Sequence, residues 1–485
     1  MILNISNHPF HYEMEKLTRI FFPETDFKVI DGEDESEDYI TTKRIPSEKS
    51  DTLCVSVSLG NFKKEKSAEV GICENFDAVC ERKMALLLYD VLCDCTGYIP
   101  PWGILTGVRP AKLMNMLIEK SGEEKAVDTF INELKVTEEK TFLALSVAKK
   151  ERPIIKNSGE KSFSLYVSIP FCPTRCSYCS FVSQANEQAK KLIPEYVEKL
   201  CEEIRITGKE VKKLGLKLES VYWGGGTPTA ISASQIRKIS EAINAAFDTS
   251  EAEEYTVEAG RPDSVTKEKL EAIKNAGATR ISINPQTFND SVLNEIGRKH
   301  TSEQTEKALI LARECGFDNI NMDLIAGLPT DTLSSFENTL KKTLSFSPES
   351  ITVHTLSLKR SSTIVTEERE TNDACLAKDM LSYASGRLTE SGYVPYYMYR
   401  QSRCLGNLEN VGWVKEGYEC LYNVYMMEEC HSVIAVGAGA VTKLRIFNKP
   451  EIERVYNFKY PYEYISRFDE IADRKKRISE FYLNG

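Results

Sequence analysis

The 485-residue sequence contains no run of about 18 apolar residues, the length that a membrane-spanning helix requires. Its first residues, "MILNISNHPFHYEMEK", also lack the basic and apolar regions of a signal peptide. We therefore expect a cytoplasmic chain with no membrane partner. A net charge of −10 argues against a general nucleic-acid binder, and only five histidines argue against a metal site built from imidazoles.

Cysteine, by contrast, occurs fourteen times, and in a cytoplasmic protein free thiols and metal ligands are more common than disulfides. Cys172, Cys176 and Cys179 form a C-x3-C-x2-C motif in "YVSIPFCPTRCSYCSFVS". Structural zinc sites usually have four protein ligands, and buried structural cysteines are not expected at this spacing. Three thiolates on a loop after a strand therefore favour a 4Fe–4S cluster with one iron left without a protein ligand.

Apolar segments alternate with helix-like segments through the middle of the chain. Six such segments are "SLYVSIPF", "LESVYWGGG", "YTVEAG", "RISINPQ", "NINMDLIAGLP" and "ITVHTLSL". This alternation predicts an α/β fold with a parallel sheet, in the form of a partial (βα)6 barrel. In such barrels the chemistry lies at the carboxyl ends of the strands, where the cysteine motif and the glycine-rich "GGGTP" both fall.

The flanking sequence predicts two further domains. Residues 1–155 combine short strands with amphipathic helices, which predicts an N-terminal α+β accessory domain, and the polar stretch Lys149–Ser162 reads as a linker. The barrel is then expected over residues 160–365. Residues 366–485 predict a smaller C-terminal α+β domain that covers the substrate.

Several motifs resemble the oxygen-independent coproporphyrinogen III oxidase family of the radical S-adenosylmethionine (SAM) superfamily. They are "YVSIPFC", "WGGGTPT", "VEAGRPDSV", "RISINPQTFND", "LNEIGRKHT" and "MDLIAGLP". The resemblance covers roughly residues 163–445, and the long N-terminal segment is similar to the extended form called coproporphyrinogen dehydrogenase. It implies that Cys172, Cys176 and Cys179 ligate the cluster and that SAM binds its open iron.

The resemblance also implies the residues that contact SAM. Tyr166 and Glu258 would lie beside the SAM at the cluster, and Tyr178 would place its backbone against adenine. The methionine end of SAM would be lined by Gly225, Gly226 and Thr227. Gln286, Arg298 and Asp323 match positions that hold a second SAM in this family. Ser357 and Val441 fall near two further SAM-contacting positions.

The implied reaction is the oxidative decarboxylation of two propionates of coproporphyrinogen III to vinyl groups, which gives protoporphyrinogen IX in haem biosynthesis. It implies a tetrapyrrole substrate and an electron donor such as flavodoxin or ferredoxin. Four propionates need cationic anchors. The candidates are Arg261, Arg280, Lys359, Arg360, Arg400 and Arg403.

Two positions depart from the family pattern, and a third departs from that of a related branch. Coproporphyrinogen oxidases continue the motif to a fourth cysteine where this chain has Phe181, and they often have histidine at the position of Ser168. The related radical SAM haem chaperones have phenylalanine at the position of Phe181, as this chain does. They have a histidine at the position of Tyr422. Two hypotheses therefore stand, an oxidative decarboxylase and a haem or tetrapyrrole transfer protein, with radical chemistry on haem itself as a third.

Overall fold

The computed structural model describes residues 1–23, 25–35, 38–179, 187–367, 371–401, 403–446, 449 and 451–484. The chain divides into two compact units. The first comprises Met1–Leu145 with Arg400–Leu408, and the second comprises Ser146–Tyr399 with Glu409–Gly485. Within the described ranges, no helix combines the length and the apolar character needed to cross a membrane. The three-domain division expected from the sequence stays a prediction.

The first unit is built on a mixed sheet. In its described residues the strands are β1 (Ile2–Ser6), β2 (Lys28–Asp31), β3 (Tyr39–Ile45), β4 (Ser50–Leu59) and β5 (Phe62–Gly71), in the spatial order β2-β1-β3-β4-β5. Side chains of β4 alternate between buried and partly exposed, as expected for a sheet with one covered face. The helices are α1 (His11–Phe21), α2 (Phe76–Thr96), α3 (Pro110–Ser121) and α4 (Glu123–Asp128). Apolar side chains of α1, α2 and the sheet form its core, among them Leu53 of β4 and Leu88 of α2.

The predicted linker over Lys149–Ser162 is wrong for most of its length, because helix α5 (Glu138–Asn157) runs through it. Pro153 lies inside this helix, where it removes one backbone hydrogen bond. Apolar packing opposes that cost, because Ile154 and Ile155 pack against an apolar cluster of the second unit.

The second unit contains the predicted parallel sheet, and all six predicted strands are confirmed. They are β6 (Ser162–Ile169), β7 (Lys217–Gly225), β8 (Glu254–Glu258), β9 (Arg280–Ser282), β10 (Ile320–Ala326) and β11 (Ser350–Thr355). Each pairs in parallel with the next. Their carboxyl ends therefore lie at one edge of the sheet, where the predicted site residues are concentrated.

Further strands extend this sheet on both sides. They are β12 (Val394–Arg400), β13 (Glu409–Val414), β14 (Ser432–Val436), β15 (Val441–Arg445) and β16 (Ile452–Tyr456). Strand β13 pairs antiparallel with β11, and β14 pairs in parallel with β6. The described order is β12-β13-β11-β10-β9-β8-β7-β6-β14-β15-β16.

Helices follow the parallel strands and cover the sheet. Those between the six strands are α6 (Glu187–Leu214), α7 (Ala233–Ala246), α8 (Lys267–Asn275), α9 (Asp290–Glu295), α10 (Ser302–Glu314) and α11 (Leu333–Ser345). The later ones are α12 (Thr363–Thr366), α13 (Ala374–Glu390), α14 (Leu421–Glu428), α15 (Pro461–Ser466) and α16 (Phe468–Asn484). Ser232 and Thr301 form capping boxes that begin α7 and α10, which fixes where the preceding loops end.

Candidate functional site

The cysteine motif forms a loop directly after β6. The amide of Cys179 donates to the carbonyl of Cys176 at 3.1 Å, which closes a tight turn between the two thiols. Ser177 is held from both sides, because its amide donates to Ile296 and its carbonyl accepts from Ile364. The loop is thus fixed by backbone contacts to elements far away in the sequence. Phe181, where relatives have a fourth cysteine, lies outside the described residues.

The glycine-rich turn after β7 lies against this loop. The amide of Gly226 donates to the carbonyl of Ile169 at 2.8 Å. A Cβ atom on Gly226 would lie 2.6 Å from the Phe171 carbonyl oxygen and 3.0 Å from Cys172 Sγ, so only glycine allows this approach. Thr227 Oγ1 lies 3.4 Å from Cys172 Sγ. The predicted Gly226, Thr227 and Cys172 are therefore brought together, while Gly225, with φ of +107°, makes the turn.

Two buried arginines flank Cys176. Arg261 Nη1 donates to Cys176 Sγ at 3.7 Å. Burial acts to lower the pKa of Arg298, but the neighbouring Tyr178 and Cys176 side chains outweigh it and raise that pKa above its usual value. Cationic donors beside a thiol stabilise its deprotonated, metal-binding form.

These residues fit a 4Fe–4S cluster. In the part of the chain that the structure describes, no three His, Cys, Asp or Glu side chains converge on one point that could hold a single metal ion. In a cubane cluster each cysteine binds a different iron, so its thiols need not converge in that way. A glycine turn packed on the cysteine loop and two guanidinium groups at one thiol suit a bulky group with anionic sulfur ligands.

The carboxylate of Glu258, at the end of β8, lies beside tyrosines of β6, β7 and α14. Glu258 Oε1 accepts a hydrogen bond from the hydroxyl of Tyr222 at 2.6 Å. Tyr166 and Tyr222 stack with ring centroids 6.3 Å apart, and Tyr422 of α14 stacks on Tyr222 at 4.3 Å. Burial raises the pKa of Glu258 to about 7, against the opposing hydrogen bond from Tyr222. This site can hold a proton on the carboxyl group near neutral pH and release it when a cation arrives.

Asp323 is the centre of a second polar group, at β9 and β10. Its carboxylate accepts hydrogen bonds from the side-chain amides of Asn284 and Asn321, each at 2.7 Å. His354 Nε2 lies 3.7 Å from the same carboxylate. Burial raises the pKa of Asp323, but the His354 contact and the Asn321 hydrogen bond outweigh it and leave the pKa below its usual value.

Asn284 connects the two predicted residues Asp323 and Arg298. Its carbonyl oxygen accepts from Arg298 Nη1 at 2.8 Å, while its side chain donates to Asp323. The backbone of Gln286, with φ of +65°, pairs with that of Asp323. The sequence analysis missed Asn284 as a site residue, although an asparagine at the end of an apolar strand was a usable signal. It also missed Tyr222 and His354.

For three other predicted SAM contacts, Tyr178, Ser357 and Val441, the structure gives the location in the fold. Tyr178 lies in the cysteine loop near Cys176, and Ser357 follows β11. Val441 begins β15, after a glycine turn whose Ala438 carbonyl accepts from the Ser168 hydroxyl at 2.8 Å. The SAM-binding roles of these residues stay predictions.

Three of the predicted propionate anchors are buried and make internal contacts, and their role as anchors stays a prediction. Arg261 is 3% exposed and forms a two-pronged ion pair with Asp263. Arg280 is 1% exposed and donates to Ser350. Arg400 is buried in the first unit, where it donates to the Leu105 carbonyl. The remaining candidates, Lys359, Arg360 and Arg403, stay predictions.

Comparisons with known proteins agree with this geometry. A family model described as the Radical SAM superfamily matches residues 166–343. The chain is 34% identical to the oxygen-independent coproporphyrinogen-III oxidase-like protein HemZ of Bacillus subtilis, over 99% of this chain and 97% of the relative. It is 30% identical to the heme chaperone HemW of Haemophilus influenzae, over 66% of this chain and 81% of the relative.

A solved structure supports the fold. Coproporphyrinogen III oxidase (HemN) from Escherichia coli, a radical SAM enzyme, matches with a TM-score of 0.53 and 24% identity, over 69% of this chain and 74% of that one. The full-length match to the Bacillus protein includes the N-terminal unit as well as the sheet that carries the cysteines. The chain belongs to the extended form of the oxygen-independent coproporphyrinogen III oxidase-like family within the radical SAM superfamily, whose cofactors are a 4Fe–4S cluster and SAM.

Proposed function

We propose that the protein is an oxidoreductase that converts propionate side chains of coproporphyrinogen III to vinyl groups, giving protoporphyrinogen IX. Each propionate loses one hydrogen atom from its β-carbon, one molecule of CO2 and one further electron. A reduced 4Fe–4S cluster with SAM supplies the 5′-deoxyadenosyl radical that such hydrogen abstraction requires. The electron that reduces the cluster would come from a protein such as flavodoxin or ferredoxin.

The residues of the chain have separate tasks in this proposal. Cys172, Cys176 and Cys179 would hold the cluster, and the turn at Gly226 would admit the methionine end of SAM beside it. Glu258 would bind a cationic or hydroxyl group of SAM once its carboxyl group is ionised. The stacked rings of Tyr166 and Tyr222 would exclude water from the reacting carbon.

The observation that carries the proposal is the position of Tyr422. It is 5% exposed and stacks on Tyr222, which itself donates to Glu258. The haem chaperones that this chain resembles have a histidine at this position. A phenol ring packed against Tyr222 gives the site an aromatic wall at the position where the chaperones have an imidazole.

A second candidate function is supported by the 30% identity with HemW, named as a heme chaperone. In this alternative the protein would bind haem and transfer it, without forming vinyl groups. Radical chemistry on haem itself, such as ring opening, is the third hypothesis and is tested in the same assay.

The test is anaerobic incubation of the reconstituted protein with dithionite, SAM and coproporphyrinogen III, followed by mass spectrometry of the porphyrin products. We expect the successive loss of two CO2 molecules, and no loss in the Cys176→Ala variant. Formation of deoxyadenosine without a vinyl product contradicts the proposal. Stoichiometric uptake of haem without turnover supports the chaperone function, and a ring-opened product from added haem supports the third hypothesis.

A further inference from the structure

Arg261 connects β8 to the cysteine loop. It follows Glu258 by three residues and is only 3% exposed. Its Nη2 donates to Thr174 Oγ1 at 2.8 Å, and its Nη1 donates to the Thr174 carbonyl at 3.2 Å and to Cys176 Sγ at 3.7 Å. One guanidinium group thus holds both the backbone and a thiol of the motif.

Asp263 fixes the orientation of that guanidinium group. Its two carboxylate oxygens accept from Nε and Nη2 of Arg261, each at 3.0 Å. Planar, two-pronged pairing of this kind sets the direction of the remaining Nη1 donor. Asp263 also offsets part of the positive charge that Arg261 brings to Cys176.

We propose that Arg261 is a positioning residue that raises the reduction potential of the cluster held by Cys176, and that Asp263 moderates this effect. The one-electron-reduced cluster carries one more negative charge than the oxidised cluster. A cationic N–H donor at a ligating sulfur therefore stabilises the reduced form more. The electron itself comes from an external reductant, so the residue changes the equilibrium and is not consumed.

The predicted effects of the two side chains have opposite signs. Arg261→Gln removes a positive charge, so the potential should become more negative. Asp263→Asn removes the negative charge that offsets Arg261, so the reduction potential of the cluster should become less negative. We expect each change to alter the reduction equilibrium about tenfold, which is about 59 mV for a one-electron couple. A merely structural role would not give shifts of opposite sign.

The experiment is a redox titration of the reconstituted full-length protein, followed by electron paramagnetic resonance, with iron content measured on the same samples. The control is Arg237→Gln, which removes an exposed arginine on α7 and should leave the potential unchanged. Arg261→Lys keeps the charge but not the planar pairing, and it should give a smaller negative shift than Arg261→Gln.

Shifts of the same sign in the Arg261→Gln and Asp263→Asn variants, or no shift at normal iron content, overturn the proposal. Loss of iron from every Arg261 and Asp263 variant also overturns it, because these residues would then serve only to fold the loop. The inference depends on Cys176 as a cluster ligand and not on the substrate. Failure of the coproporphyrinogen assay would therefore leave this test intact.

Discussion

Glu258 shows how one partly buried group can make stability depend on pH. Burial raises its pKa from 4.5 to about 7, so the folded protein keeps this proton at pH values where the unfolded chain has lost it. The contribution of this group to stability is therefore full below pH 4.5 and is lost as the pH rises through 7. A shift of this size corresponds to roughly 3 kcal/mol.

We therefore expect the Glu258→Gln variant to gain stability relative to the wild type as the pH rises from about 4.5 to about 8, since the amide has no charge to bury. Urea unfolding of the cofactor-free protein at several pH values measures this difference. Glu271→Gln, at an exposed position of α8, is the matched control and should show no such trend. A constant difference between Glu258→Gln and the wild type across this range would contradict the pKa assignment.

At the scale of elements, the turn after β7 depends on the absence of a side chain at Gly226. A methyl group there would meet the Phe171 carbonyl and Cys172 Sγ, so Gly226→Ala must displace the cysteine loop. Overpacking of this kind costs about 1–3 kcal/mol, and we expect iron loading to fall sharply. The measurement is iron per chain after anaerobic reconstitution.

Gly386 provides the control for this substitution. It lies within helix α13, and a Cβ atom there would meet no atom within 4 Å. Gly386→Ala should therefore keep its iron and gain up to about 1 kcal/mol in unfolding free energy, because alanine favours the helix. Equal iron loading in the Gly226→Ala and Gly386→Ala variants would mean that the close approach to the loop has no functional consequence.

Helix α16 is joined to helix α6 by a buried ion pair. Lys475 Nζ lies 2.7 Å from Glu203 Oε1 of α6, and both side chains are almost completely buried. Glu203 also accepts hydrogen bonds from Asn457 and from the amide of Gly437, in the turn before Val441. This network connects two helices to the turn that packs on Ser168.

Removal of one partner should leave an uncompensated charge in the core. We expect Lys475→Met to cost about 3–5 kcal/mol and the double variant Glu203→Gln/Lys475→Met to cost less than that single substitution. Lys476→Met, at the exposed neighbouring position, should have little effect. Guanidinium unfolding of these variants measures the difference, and a double variant less stable than Lys475→Met would be evidence against the pairing.

At the scale of the whole molecule, the sequence predicted the residues that meet at the carboxyl ends of the parallel strands. It did not predict the partners of buried polar side chains. The six parallel strands and the contact of Gly226 with Cys172 follow from the period of the pattern and from the common edge of a parallel sheet. Asn284 could have been noticed after an apolar strand, but its hydrogen bond to Asp323 could not be predicted, because the two residues are 39 positions apart. Arg261 and Arg280 look like solvated or ligand-binding cations until their burial is known.

The same limit applies to Arg400, which belongs to a short segment that joins the first unit from a distant part of the sequence. Its side chain is 3% exposed, donates to the carbonyls of Leu105 and Gly107, and lies over the ring of Trp102. Nothing in the local sequence indicates these partners, almost 300 positions earlier. The first unit therefore includes a segment, Arg400–Leu408, that begins at the last residue of β12 and ends just before β13.

We expect Arg400→Met to destabilise the first unit by about 3 kcal/mol, because hydrogen bonds from a charged group are lost and carbonyl oxygens stay buried. Trp102 is the single tryptophan of that unit, so its fluorescence in a Trp223→Phe/Trp413→Phe background reports the unfolding. Arg403→Met, at an exposed position of the same segment, is the control. Since the cysteine loop lies wholly in the second unit, cluster absorbance at low denaturant should be unchanged. An equal effect of the two substitutions would show that the segment is held by its backbone and not by the Arg400 side chain.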